Sequence, residues 1–192
     1  MLVITGKTAS GKDLIVSTLT SSHGFKKIIT YTTRPMRKGE IQDVTYHFIS
    51  EDDFKQKIND GFFAEYRSYN TEFGTWYYGS AIEDLQNADD KTVIILTPQG
   101  FRDVVSKLSK KPMSIYVYAN NSTIKKRLVK RCDDKNEAQR RVKCDNEDFK
   151  DFANEVDKII YNNDGTNIDE VMEKILNFIK EKNGRYASES NI

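Results

Sequence analysis

Apolar, β-rich runs recur along the chain at LVIT (2 to 5), KKIIT (26 to 30), TVIIL (92 to 96), MSIYVY (113 to 118) and KIIY (158 to 161). Helical patterns lie between them, over 12 to 21, 98 to 109, 121 to 131, 136 to 154 and 167 to 182, several opened by Asn, Ser or Pro. Strand and helix in alternation predict an α/β fold with a central parallel sheet. In the last helix Ile168, Val171, Met172, Ile175, Leu176 and Ile179 recur at i, i+3, i+4, i+7 spacing, an apolar face suited to packing on that sheet.

Two stretches break the rhythm. Residues 31 to 80 carry most of the tyrosines and the only tryptophan, with short candidate strands at 45 to 49 and 63 to 69 and a helix near 51 to 60. They read as an inserted lobe. Residues 131 to 145 are rich in charge and short of large apolar groups, as expected of a small mobile lid. The core is then 1 to 30, 81 to 130 and 146 to 182, and the polar residues 183 to 192 are expected to fray. No internal repeat or low-complexity segment is present.

At 192 residues the chain suffices for one well-buried core, so a single domain with mobile subdomains is expected. Thirty basic residues against 29 acidic ones give a net charge of +1, which supplies no global field toward nucleic acid or an anionic membrane. Anion recognition must be local. The opening MLVIT runs into a glycine-rich loop without room for a cleavable leader, and no apolar run approaches the roughly 20 residues of a membrane span. The two cysteines, Cys132 and Cys144, form no CxxC pair and have no histidine at metal-ligand spacing. Free thiols in a reducing cytoplasm are the expectation. Nothing in the sequence speaks to oligomeric state.

Gly6-Lys7-Thr8-Ala9-Ser10-Gly11-Lys12 fits GxxxxGK directly after an apolar strand and before a helix, the context this phosphate-binding motif requires. Backbone N–H groups of such a loop, backed by a helix N-terminus, present positive charge to phosphate oxygens. Lys12 is placed to reach the β- and γ-phosphates of a nucleotide. Asp13 stands where the motif expects a Ser or Thr hydroxyl for Mg²⁺. A carboxylate there repels bare phosphate but is a good oxygen ligand once a magnesium ion lies between them.

Thr30-Tyr31-Thr32-Thr33-Arg34-Pro35-Met36-Arg37-Lys38-Gly39-Glu40 resembles the TTRxxRxGE signature of guanylate kinases. Val44-Thr45-Tyr46-His47-Phe48, then Glu65 after an aromatic pair, then Tyr77-Tyr78-Gly79-Ser80, follow in the family's order. The resemblance runs from Leu2 to Ile179. It implies a P-loop three-layer fold, a kinase using Mg²⁺ with ATP as phosphoryl donor, and GMP or dGMP as acceptor. It also implies phosphate contacts from Arg34, Arg37, Tyr46 and Tyr78, and guanine contacts from Thr30, Glu65 and Ser80. The chemistry suits the residues: arginine forks and phenol hydroxyls match a phosphate dianion, and one carboxylate can accept the adjacent N1–H and 2-amino donors of guanine. Arg127-Leu128-Val129-Lys130-Arg131 and Arg140-Arg141 resemble the lid arginines that close over ATP, with Arg131 and Arg141 the catalytic candidates and Arg140 able to stand in for Arg141. Asn162, in Tyr161-Asn162-Asn163-Asp164, falls where the family turns beside the adenine.

One departure bears on selectivity. Guanylate kinases carry a DxD pair after the strand that here reads TVIIL, and the matching positions are Ile95 and Thr97. The alternatives are therefore a nucleoside monophosphate kinase with altered base specificity and a catalytically weak guanylate kinase-like binding module, the latter disfavoured by the intact loop.

Overall fold

The computed structural model describes residues 1–131 and 134–189, with side chains as far as Gly184. In chain order, β1 (Leu2–Thr5), α1 (Lys12–Ser22) and β2 (Lys26–Lys27) lead into a lobe of β3 (Tyr31–Thr32), β4 (His47–Phe48), α2 (Glu51–Asn59), β5 (Phe63–Thr71) and β6 (Gly74–Ala81). The chain returns through α3 (Ile82–Gln86), β7 (Thr92–Ile95), α4 (Pro98–Lys107), β8 (Met113–Tyr118), α5 (Asn121–Lys130), α6 (Lys135–Asp148), β9 (Lys158–Tyr161) and α7 (Ile168–Glu189).

Five strands form a sheet in the order β2-β7-β1-β8-β9, with every pairing parallel. Central β1 sets Val3 and Ile4 opposite Ile94 and Ile95 on one side and Ser114 and Ile115 on the other. Successive strand residues face opposite ways. Leu2 and Ile4 accordingly join Ile15, Leu19, Val171 and Ile175 beneath α1 and α7. Val3 joins Ile94, Phe101, Val104, Phe149 and Phe152 on the opposite face. Full burial of each such side chain contributes about 1.5–3 kcal/mol, which is why strands covered on both faces read as unbroken apolar runs. Connections from β1 lead to one side of the sheet and those from β7 to the other, creating the switch point at which parallel sheets bind ligands.

The lobe holds a second sheet, β4-β3-β6-β5, built around the long β5–β6 hairpin and anchored by buried Phe54 stacked 4.4 Å from Phe63. Several elements differ from the sequence expectation. The strand expected over 26 to 30 pairs only at Lys26–Lys27, because the chain peels away to enter the lobe. The strand expected over 45 to 49 narrows to His47–Phe48, whereas that over 63 to 69 extends to Thr71 and pairs with β6, which the sequence had not disclosed. The helix expected over 136 to 154 stops at Asp148; Asp151 adopts φ 61°, and a 3-10 turn, Phe152–Asn154, swings Phe152 into the core.

Most of the expected lid is ordered helix. Asp134 caps α6 by accepting the Glu137 N–H at 2.9 Å, and no residue of α6 is fully buried. At the other end of the chain α7 continues to Glu189, well past Lys182 where the apolar pattern gives out. Cys132 and the last residues of the tail lie outside the described residues, and Cys144 is a half-buried free thiol. No helix among the described residues is long and apolar enough to cross a membrane.

Candidate active site

The loop between β1 and α1 wraps around its own lysine. Lys12 Nζ donates to the carbonyls of Gly6 at 2.5 Å and Lys7 at 2.8 Å. Its ammonium sits inside the loop although the stem is partly open to solvent, and burial lowers its pKa, opposed by the nearby charges of Asp13 and Asp145. Neither loop glycine tolerates a side chain: a Cβ on Gly6 would stand 2.6 Å from the Val117 carbonyl, and one on Gly11 2.3 Å from Asn162 Nδ2. Ala9 takes a left-handed φ of 55°, turning the chain between them.

The loop is braced from behind. Asn162, buried at the end of β9, donates from Nδ2 to the Ser10 carbonyl at 2.8 Å. Arg127 Nη1 donates to the carbonyls of Ala9 and Ser10, each at 3.1 Å. The side chain of Asn162 thus holds the phosphate loop itself. Arg127, which opens the stretch that resembles lid arginines, acts here as a brace on the loop.

A carboxylate occupies the mouth of the loop. The Thr8 N–H donates to Asp145 Oδ2 at 2.5 Å, and Lys7 Nζ donates to Asn146 Oδ1 at 2.6 Å. Burial raises the pKa of Asp145, against the Thr8 hydrogen bond and the charge of Lys12. Nothing in the spacing along the chain signals this contact, which joins residues 137 positions apart. It ties α6, the expected lid, to the loop between β1 and α1.

In the lobe, Arg34 is 5% exposed and grips Glu40 with two parallel hydrogen bonds of 3.0 and 2.7 Å, its guanidinium 5.5 Å from the Tyr46 ring. Arg37 gives its backbone N–H to Glu40 at 2.7 Å, while its side chain stands exposed. Tyr46 and Tyr78 lie edge to face, 6.1 Å between centroids, and burial pushes the Tyr46 phenol up to about 12, helped by Tyr78 and Asp13. Arg34, Tyr46 and Tyr78 are therefore brought together, with Arg37 at the rim. The Thr30 carbonyl accepts the His47 N–H at 2.9 Å, joining the start of the lobe to β4.

Farther along the hairpin, Glu65 on β5 sits opposite Ser80 on β6 and takes its hydroxyl hydrogen at 2.6 Å in a buried pair. Burial raises the Glu65 pKa, opposed by Ser80 and by Arg67. Thr97 caps α4 by accepting the Gly100 N–H at 3.1 Å, so its hydroxyl is engaged locally where the resemblance leads one to expect a carboxylate. Ile95 is the last residue of β7 and offers only an apolar surface.

The two lid arginines share one counter-charge. Arg140 binds Glu137 at 2.7 and 2.9 Å, and Arg141 Nε binds it at 2.8 Å. Hydrogen bonds from Arg140 and then Arg141, against the cost of burial, hold Glu137 at about 2. Arg140 also lies over the Tyr69 ring of the lobe, 5.7 Å from its centroid. Arg131, exposed at the end of α5, adds positive charge that is felt at Lys12.

Among the described residues no group of three or more His, Cys, Asp or Glu side chains is placed to hold a metal ion. A magnesium ion needs no such cage, since it is commonly held by one or two carboxylates together with phosphates and water. Asp13 is exposed on the first turn of α1, and its charge reaches Lys12, Lys27 and Tyr46. A single open carboxylate between the loop and the lobe fits that requirement.

A model of the guanylate kinase family matches residues 1–182. The chain is 34% identical over 148 residues to a guanylate kinase of Sulfurimonas denitrificans, covering 74% of this chain and 70% of that one. It is 30% identical over 186 residues to a guanylate kinase of Helicobacter hepaticus, covering 94% and 90% respectively. Among solved structures, a guanylate kinase from Anaplasma phagocytophilum superposes with a TM-score of 0.69 over 95% of this chain and 85% of that one, at 20% identity, which shows a shared fold.

Proposed function

The chain belongs to the guanylate kinase family of nucleoside monophosphate kinases, and from that premise we propose that it transfers the γ-phosphoryl group of ATP directly to the phosphate of GMP or dGMP. One observation carries this reading: the glycine loop encloses the Lys12 ammonium, and in the lobe the buried Arg34 lies beside Tyr46 with Tyr78 next to it, so the chain holds two separate groups suited to phosphate. In this reading the loop takes the donor phosphates and the lobe takes the acceptor phosphate. In-line transfer between two bound anions needs positioning and charge neutralisation more than covalent chemistry. Lys12 and the loop N–H groups hold the donor phosphates, Arg34, Arg37, Tyr46 and Tyr78 the acceptor phosphate, and Glu65 with Ser80 the guanine edge. Arg131 and Arg141 approach from the lid, and the helix bearing Arg141 screens the cleft from water. A phosphate acceptor is already an anion and requires no general base. Asp13 is the residue to hold Mg²⁺, directly or through water, and the ion when bound neutralises the phosphate oxygens. Cytoplasmic nucleotides are the substrates of this reading, with neither nucleic acid nor membrane as a partner.

Phosphorus NMR on ATP, Mg²⁺ and GMP tests it: the γ resonance of ATP gives way to the β resonance of GDP. Binding of both nucleotides with no transfer would instead identify a binding module.

Two substitutions separate the parts. Asp13→Asn is expected to weaken the Mg²⁺ dependence of ATP binding, measured calorimetrically, by about tenfold, on the scale of losing one charged contact. Identical magnesium titrations of the two proteins rule out a metal role for Asp13. Asp145→Ala is expected to tighten ATP binding several-fold, because the carboxylate competes with phosphate for the Thr8 N–H and repels it. Unchanged or weaker affinity would show that Asp145 leaves the loop without cost or assists the bound state.

A further inference from the structure

Lys27 closes β2, where the chain leaves the main sheet for the lobe, and it is partly buried whereas Lys26 before it is exposed. Its Nζ donates to the Thr45 carbonyl at 3.2 Å and stands 5.5 Å from the centre of the Tyr46 ring. The Arg34 guanidinium stands 5.5 Å from the same ring, and Tyr78 meets that ring edge to face. Two cations are thereby gathered around one phenol of the acceptor pocket.

Their charges are not equally available. Arg34 grips Glu40 with two hydrogen bonds and gives Nη1 to the Pro35 carbonyl as well. The pair with Glu40 is neutral as a whole. Lys27 makes no ion pair within contact distance among the described residues, and its one hydrogen bond is long. Burial lowers its pKa, against the more distant charges of Asp13 and Glu40. An ammonium has more hydrogens than one carbonyl can take, and holding it half out of water on such a contact costs stability that an anionic ligand would offset.

We infer that Lys27 is a further binding residue for the acceptor phosphate, donating from Nζ to a phosphate oxygen beside Tyr46 and supplying the net positive charge that the Arg34–Glu40 pair lacks. This rests on the acceptor reading above. A dianion gains most from a cation that is not already neutralised. The flexible lysine stem lets the ammonium turn from the Thr45 carbonyl to the phosphate, while the rigid fork of Arg34 stays on Glu40.

The test is calorimetric affinity for GMP and for guanosine, which keeps the base and ribose and lacks the phosphate. Lys27→Met is expected to weaken GMP by about 10- to 100-fold, on the scale of one charge-assisted hydrogen bond, and to leave guanosine within about twofold. Acetylation of Lys27 in the wild-type protein, read by mass spectrometry, serves if the variant does not fold: GMP is expected to slow it several-fold and guanosine to leave it unchanged. Equal losses for the two ligands, unchanged GMP affinity, or equal protection by both would overturn the proposal and reduce Lys27 to a tether between β2 and the turn before Tyr46. Wild-type protein that binds GMP without phosphorylating it overturns the kinase reading alone, and the comparison still decides the role of Lys27. If the wild-type chain binds AMP and not GMP, the guanine reading fails, and AMP against adenosine decides Lys27 in the same way. A chain that binds neither nucleotide overturns both.

Discussion

Lys12→Met is expected to lower kcat by about 10²- to 10³-fold while the protein still binds ATP. The figure is that of removing one preorganised donor from the place where charge develops in a transition state. Lys12 is the only ammonium enclosed by the phosphate loop among the described residues, held there by the Gly6 and Lys7 carbonyls. Those two bonds keep it desolvated and aimed before any nucleotide arrives. Methionine keeps the length of the stem and removes the charge, so the loop, braced by Asn162 and Arg127, retains its shape. Rapid-quench kinetics at saturating ATP and GMP measures the effect. A variant with wild-type kcat and a raised KM for ATP would place Lys12 in uniform binding and outside the transition state.

Glu65→Gln is expected to raise KM for GMP by about 10²-fold and to stabilise the fold at the same time. A carboxylate accepts both guanine donors, whereas the amide offers one acceptor and a mismatched N–H₂. The stability change follows from burial, which raises the Glu65 pKa above its ordinary 4.5. The folded chain therefore holds this proton more tightly than the unfolded chain. Its contribution to stability is present below the unfolded value and is lost as pH rises through the folded one. Glutamine removes that loss, so thermal melting of the variant should exceed wild type at pH 8, with the gap closing as pH falls through the raised value. Guanine affinity behaves in the opposite sense: wild-type GMP binding weakens as Glu65 takes up its proton, and the variant shows no such step. The titration of GMP's own phosphate near about 6 is common to both proteins and cancels in their ratio. A variant less stable than wild type at high pH would contradict the buried carboxylate.

What was legible in the sequence is what neighbours along the chain determine. The loop from Gly6 to Lys12 is seven consecutive residues between a strand and a helix, and Arg34, Tyr46, Glu65, Tyr78 and Ser80 follow in order through one lobe. The three central strands of the main sheet, β1, β7 and β8, were readable because they are buried almost throughout, whereas the edge strands β2 and β9 are partly exposed. The hairpin strand β6 was not readable, since Trp76, Tyr77 and Tyr78 put aromatic rings on both of its faces and erase the alternation that marks a strand. The braces and the competing carboxylate were equally hidden. Arg127 meets Ala9 across 118 residues and Asp145 meets Thr8 across 137, contacts that only the closed fold creates.

The account stands or falls on the acceptor. Coupled ADP release by the wild-type chain with ATP and Mg²⁺, scanning GMP, dGMP, AMP, CMP and UMP, should give kcat/KM for the guanine nucleotides at least about 10²-fold above every other base, the margin that matched hydrogen bonds to a base edge provide. Comparable turnover of AMP or of a pyrimidine nucleotide would show that Glu65, Ser80 and their neighbours do not read guanine.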